Sequence, residues 1–362
     1  MTAHVLAEIQ NRIGILTLDR SRALNALSLD MVRAISAHLR AWRDDDSVLA
    51  VLIRSSSERA FCAGGDIRFF HEVGNAAPAG GSALLEDFFT EEYALNHLIH
   101  HYPKPYIALL DGIVMGGGMG ITQAGKQRLA IVTERTRMAM PEVHIGLFPD
   151  VGGSHFLTRM PGQLGRWLAL SGETISAADA LHANLADVFL PAALLPELMG
   201  MLGQHAARDA ADIVNMIREF AAPHVRDAGH GRLADARERI DRLFAADTVS
   251  AIVSGLKQEG DDFAAATLHA MERGSPLMLC VTLEQLRRGA GMSLAECLRM
   301  ERDMVRHCFE RTEVLEGIRA RVIEKDNAPR WSPASLADVD EAMVTAYFEP
   351  VWPAHMHPLR EL

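Results

Sequence analysis

Hydrophobic and polar positions alternate through residues 4–18 and are interrupted at "NRIG", so "HVLAEIQ" and "IGILTLD" read as the two strands of a hairpin. The period then lengthens. Leu29, Val32, Ile35 and Leu39 fall on one face of a helix over roughly 29–43, with Ser28 placed to cap its start. Three continuous apolar runs, "VLAVLIRS" (48–55), "YIALLDG" (106–112) and "RLAIVT" (128–133), have the character of strands buried on both faces. "GNAAPAGG" (74–81) reads as a flexible loop and residues 83–101 as a helix. Strands that alternate with helices predict an α/β first half.

Beyond about residue 190 the strand signal fades. "PAALLPELMGMLGQ", "DIVNMIREFAA", "GRLADARERIDRLFAA", "LAECLRMERDMVRHCFE" and "VLEGIRARVIE" all favour helix, the last through Val314, Leu315, Ile318 and Val322. The chain is therefore expected to divide into an α/β core over 1–190 and a mainly helical region over 191–362. No internal repeat is visible. A Pro/Trp-containing turn and a last acidic helix are expected at the end.

Composition narrows the function classes. Hydrophobic residues make up 49% of the 362, which supplies a sizeable core, and no apolar run is long enough to span a membrane. A formal net charge of −11 argues against nucleic acid or an anionic membrane as a general partner. Local cations and backbone N–H groups remain available to a phosphorylated small molecule. Cys62, Cys280, Cys297 and Cys308 include no C-x-x-C pair and read as reduced thiols. The first residues lack a secretory or transit pattern, so a cytoplasmic place is expected.

Two glycine-rich turns follow strands: "FCAGGDI" (61–67) and "GIVMGGGMGI" (112–121), the second opening a helix. Glycines let the backbone approach a ligand and turn N–H groups inward, which suits an oxygen that becomes negative during reaction. The same glycines also serve simple tight turns. A dinucleotide fingerprint fails because Ile121 stands where a third glycine is needed, and neither a P-loop nor a G-x-S-x-G elbow occurs. Downstream, "MAMPEVHIGLFPDVGG" (138–153) places Glu142 and Asp150 eight residues apart in an apolar setting. They are either helix-start and turn acids or a pair that faces a pocket. His97, His100 and His101 have a spacing that metal could use, but no accompanying carboxylate signature, and no metal is expected. Met115, Met119, Met138 and Met140 read as wall and core.

Four segments in this order and spacing, "RALNALSLDM" (22–31), "RAFCAGGDI" (59–67), "GIVMGGGMG" (112–120) and "MPEVHIGLFPDVGG" (140–153), resemble the crotonase (enoyl-CoA hydratase/isomerase) superfamily. More narrowly, "FFTEEYALN" (88–96) and "EGIRARVIEKDNAPRWSPASL" (316–336) resemble the 3-hydroxyisobutyryl-CoA hydrolases within it. The resemblance covers nearly the whole chain, with 190–275 only generally similar.

The resemblance implies a spiral of ββα units followed by a helical C-terminal region, and an acyl-CoA-binding role for 1–190. It implies that the N–H groups of Gly65 and Gly117 polarise a thioester carbonyl and that Glu142 and Asp150 are the catalytic carboxylates. Glu92 would bind the substrate's hydroxyl, with Arg22, Ala23 and Ala63 along the CoA moiety and His144 lining the pocket. No cofactor is implied beyond the CoA of the substrate, and a trimer-based homo-oligomer is expected. The hydratases carry a second glutamate where this chain has Gly120, which demotes hydration. The expected reaction is hydrolysis of a 3-hydroxyacyl-CoA thioester, in valine breakdown if the narrower likeness holds. Glu142 would either attack the thioester or deprotonate a water, and both routes stay open. The rivals are an enoyl-CoA isomerase using Glu142 alone, and a catalytically silent acyl-CoA- or RNA-binding member.

Overall fold

The alternation at residues 4–18 becomes β1 (Val5–Gln10) and β2 (Ile13–Leu18), paired antiparallel with Val5 opposite Leu18. Asn11 and Arg12 both take positive φ (47° and 67°), the two-residue turn whose twist matches that of its strands. The structure is a computed structural model that describes residues 4–77, 81–204 and 206–362.

β3 (Ala50–Ser55), β5 (Tyr106–Leu110), β7 (Arg128–Val132) and β9 (Val188–Phe189) extend the hairpin into a six-stranded sheet of order β1-β2-β3-β5-β7-β9, parallel from β2 onward. β4 (Ala60–Cys62), β6 (Ile113–Met115) and β8 (Arg137–Ala139) form a three-stranded sheet of their own. Consecutive strands thus go one to each sheet: β3 then β4, β5 then β6, β7 then β8. A helical segment follows each pair, at Ile67–Ala76, Gly117–Gln123 and Glu142–Ile145. That succession is the expected ββα spiral.

The chain forms two compact units. The first is built from Met1–Gly65, Leu95–Met138 and Thr174–Asp235, the second from Asp66–Ala94, Ala139–Glu173 and Ala236–Leu362. In the first, Ile13, Ile15, Leu52, Ile107 and Ile131 present one sheet face to Leu198 and Leu202 of the helix Leu195–Gln204 and to Ile213 and Ile217 of the helix Ala210–Ala221. The helix Leu29–Arg43 is capped by Ser28, whose side chain accepts from the Met31 N–H, and it buries Val32, Ile35 and Leu39 as its spacing predicts.

The second unit is helical. Its principal helices are Val249–Glu259, Asp262–Glu272, Pro276–Gly289 and Leu294–Glu310. Leu294–Glu310 begins with a reciprocal capping box between Ser293 and Glu296. Among the described residues every element after Phe189 is helical, but the compact units do not divide at 190. A change of secondary structure along the chain is not a boundary in space: helices just past 190 cover the sheet, while residues 66–94 and 139–173 pack with the C-terminal helices.

Two local readings change. Residues 74–76 of the expected loop belong to the helix Ile67–Ala76, since Gly74 packs at Phe309 and Leu315 where a side chain would clash; 78–80 lie outside the described residues. "VLEGIRARVIE" is an α-helix over Glu313–Ile318 that widens to a π-helix over Arg319–Ile323. Among the described residues no helix is long and apolar enough to cross a membrane.

Candidate active site

The predicted residues are shared between the units: Arg22, Ala23, Ala63, Gly65 and Gly117 in the first, Glu92, Glu142 and Asp150 in the second.

In the first unit the two glycine turns meet. β4 and β6 run parallel, so the turns that leave their ends lie side by side. A Cβ on Gly64 (φ 101°) would stand 3.3 Å from Met115 O and 3.7 Å from Gly117 N, and one on Gly118 would stand 2.5 Å from Cys62 O. Only bare backbone fits at this approach. Gly116 (φ 48°) turns the chain into the helix Gly117–Gln123, whose first N–H has no acceptor within the helix. The "RALNAL" segment is bound to the same place: Ala63 N–H donates to Leu24 O (3.0 Å) and Leu27 N–H to Gly64 O (2.8 Å). Arg22 is exposed there, with Ala23 and Ala63 half-buried.

Asn25, which the sequence reading passed over, anchors that segment. Fully buried, it donates to Ser55 Oγ (2.7 Å), Phe61 O (3.0 Å) and Ala60 O (3.3 Å) and accepts from Arg20 N–H (2.8 Å).

In the second unit three carboxyls are buried together. Glu92, Glu142 and Asp150 are 2%, 6% and 5% exposed, so none of them is a solvated surface acid, and Glu142 and Asp150 are not merely an exposed helix-start and turn pair. Burial, reinforced by the charge of Asp150, holds the Glu142 carboxyl well above the ordinary range. Glu92 is raised likewise by burial and by the charges of Asp150 and Glu142. Burial lifts Asp150 to about 6, against hydrogen bonds from Tyr93 and the backbone that favour its charged form. Glu92 Oε1 and Glu142 Oε2 are buried without a hydrogen-bond partner among the described residues. Such atoms are costly in a native interior and mark a place where another group accepts or donates.

The loop itself is firmly held. Pro141 O accepts from His144 N–H (2.9 Å), Glu142 O from Leu147 N–H (3.0 Å), and Val143 O from Ser275 N–H (2.9 Å). His144 Nε2 lies 2.9 Å from Ala270 O, so Nε2 carries the proton, and burial lowers the ring to about 4. A neutral, tethered imidazole supports the loop and is not poised to move protons.

Three further residues complete the acid site. Tyr93 OH donates to Asp150 Oδ2 (2.7 Å), and its ring stands edge-on to Phe89. Glu301 accepts from Gly152 N–H (2.7 Å) and Ser154 N–H (2.9 Å), and Gln285 donates to Pro149 O (2.6 Å) and Ser154 Oγ (2.9 Å). A signal for Glu301 was present: it occupies the apolar stripe Leu294, Cys297, Leu298, Met304, Val305 and Cys308, where an acid is out of place.

The His101 ring lies tilted against His97 and edge-on to His100, and His100 Nδ1 and His101 Nδ1 lie near the carbonyls of Ala124 and His97. Among the described residues no group of side chains has a metal-holding arrangement, and all four cysteines are unbridged.

The enoyl-CoA hydratase/isomerase family model matches residues 13–348. Over 350 residues the chain is 40% identical to the 3-hydroxyisobutyryl-CoA hydrolase, mitochondrial, of Gallus gallus, covering 96% of this chain and 89% of that protein. The Homo sapiens protein of the same name is 37% identical over 346 residues, with 95% and 88% covered. Among solved structures, a carnitinyl-CoA dehydratase from Mycobacterium thermoresistibile superposes with a TM-score of 0.88 at 39% identity, covering 97% of this chain and 98% of that one. An enoyl-CoA hydratase from Rhodobacter sphaeroides 2.4.1 gives 0.85 at 39% identity, with 96% and 98% covered.

Proposed function

The chain belongs to the enoyl-CoA hydratase/isomerase family and has its crotonase fold, and from that premise we propose that it hydrolyses 3-hydroxyisobutyryl-CoA to the free hydroxy acid and CoA. The observation that carries the reading is the burial of Glu142 and Asp150 within one held segment, each in the other's field, with Glu142 Oε2 left unpartnered among the described residues.

Thioester hydrolysis asks for two things. The carbonyl oxygen must be stabilised as it becomes negative, and a nucleophile must be delivered to the carbonyl carbon. The leaving thiol has a pKa of roughly 8.5, so it departs as thiolate without a strong acid. We assign the first task to the N–H groups of Gly65 and Gly117, each such donor being worth on the order of 3 kcal/mol. The second falls to Glu142, whose raised pKa makes it a better base than an exposed glutamate, a contribution of about 10²–10⁴-fold. Either Glu142 takes the proton of an attacking water, or its oxygen attacks and the resulting anhydride is hydrolysed. Asp150 orients the water in both routes, and the thiolate takes up the remaining proton. Glu92 meets the hydroxyl of the acyl group, and Arg22, Ala23 and Ala63 lie along the CoA moiety.

Hydration is the second reading, because the two solved relatives carry names of dehydratase and hydratase. Gly120 stands where the hydratases' second glutamate is expected, and a glycine holds no water and transfers no proton. Free-thiol release from 3-hydroxyisobutyryl-CoA, lost in Glu142→Gln, tests the proposal. Absence of thiol release from wild type, with hydration or double-bond migration of an enoyl-CoA by the same preparation, overturns it. Single turnover in labelled water, followed by mass analysis of Glu142, separates the two routes. We further propose a trimer-based assembly, which light scattering would record as a multiple of three of the 39.6 kDa protomer.

A further inference from the structure

We infer that Glu301 is a positioning residue for Asp150, acting through the turn that follows it. The inference rests on the thioesterase reading above.

Immediately after Asp150 the chain takes two left-handed residues in succession, Val151 (φ 53°) and Gly152 (φ 86°). Glycine adopts this region freely, whereas a β-branched residue in it is a true outlier that neighbouring structure must enforce. The enforcing group is Glu301. Its two oxygens accept separately from Gly152 N–H (2.7 Å) and Ser154 N–H (2.9 Å), so the carboxyl group grips the turn at both ends. Burial raises the group to about 8, against these bonds, which favour its charged form. Gln285 holds the other flank through Pro149 O (2.6 Å), the residue before Asp150, and also binds Ser154 Oγ (2.9 Å). Asp150 O closes the turn by accepting from Gly153 N–H (2.7 Å). Asp150 therefore projects from a segment tied on one side to the helix Pro276–Gly289 and on both ends of its turn to the helix Leu294–Glu310.

The clamp is an expensive device. Glu301 is 0% exposed, and an apolar side chain at this stripe position would pack without the cost of burying a carboxyl. The two bonds also cap the four-residue helix Gly153–Phe156, whose N-cap is Gly152, and the one to Gly152 N–H holds the second of the two left-handed residues that follow Asp150. The spacing of the two acceptors matches the strained turn and fixes where the Asp150 side chain starts.

The test compares wild type, Glu301→Gln and Glu301→Asp for thiol release from 3-hydroxyisobutyryl-CoA, with circular dichroism to confirm folding. Glutamine preserves volume but turns an NH₂ toward one of the two N–H donors. Glu301→Gln is expected to lower kcat roughly 10²-fold, as displacement of a reacting group by about 1 Å does, with KM within about twofold of wild type. Glu301→Asp keeps both acceptors on a shorter stem and recovers part of the loss. Folded variants with wild-type kcat, or with a change confined to KM, overturn the inference. If Glu301→Gln does not fold, Glu301→Asp decides alone by the same criterion. Wild type without thiol release brings down the thioesterase reading itself; an active wild type with indifferent variants brings down only the role of Glu301.

Discussion

The Tyr93 hydroxyl donates to Asp150 Oδ2 at 2.7 Å from within a wall of phenylalanines, Phe70, Phe88, Phe89 and Phe309, that stack edge-on and tilted against one another. The bond does two things at once. It orients one oxygen of Asp150, and it favours the charged carboxylate that burial opposes. In a low-dielectric setting such a bond is stronger than at the surface, and its loss is felt more.

Removing that hydroxyl changes the pH profile in a definite direction. With Tyr93→Phe, burial acts on Asp150 without this counterweight, so its pKa rises from about 6 and the ionised form is lost at higher pH. The acid limb of kcat/KM for thiol release is expected to move upward, with a drop in rate of roughly 10-fold at pH 7. A profile superimposable on wild type would show that Asp150 works without the tyrosine.

Neutralising Glu142 should separate activity from stability. Its folded pKa lies well above the ordinary 4.5, so the folded state binds the proton more tightly than the unfolded one. The group's contribution to stability is full below pH 4.5 and is lost as pH rises toward the raised folded value. Glu142→Gln should therefore be inactive yet more resistant to urea than wild type at pH 8, with the gap closing near pH 4.5. Equal midpoints at both pH values would contradict the assigned shift.

The glycine turns of the first unit tolerate no side chain where they meet. Gly118→Ala places a methyl 2.5 Å from Cys62 O, a backbone atom that must move with its turn. Destabilisation of about 1–3 kcal/mol is expected by urea unfolding, together with a loss of thiol release. Unaltered activity would show that the spacing of the two turns is not needed for the reaction.

Asn25 is expected to matter through structure. Asn25→Ala removes the side-chain partner of the Phe61 carbonyl and of Arg20 N–H, while Ala60 O keeps the Ser55 hydroxyl, at a cost of about 2–4 kcal/mol in urea unfolding. A ligand that stabilises wild type, such as free CoA, should still raise the melting temperature of the folded variant. Complete loss of that response would assign Asn25 a direct part in binding.

Period and punctuation along the chain were enough to place β1, β2, β3, β5 and β7, the helix Leu29–Arg43 behind Ser28, and both glycine turns, because alternation, helical spacing and turn chemistry act between near neighbours. The pair Glu142 and Asp150 was legible as a pair through its motif. Its burial was not, nor were its supports: Tyr93 lies 57 positions from Asp150, and Glu301 lies 149 from Gly152. Nothing in local spacing selects such partners, since any buried acid on the apolar stripe of Leu294–Glu310 would read alike whatever it faces. The compact units were hidden for the same reason, each being gathered from three separated stretches. Sequence alone indicated the type of most elements, which depends on residue identity and short-range geometry, and its resemblance to a family indicated the kind of chemistry to expect. The tertiary structure decided which carboxyls are desolvated, which of them share a field and what grips the turn after Asp150. Desolvation, mutual charge and hydrogen bonding are set by distance in space, and distance in space is what folding creates.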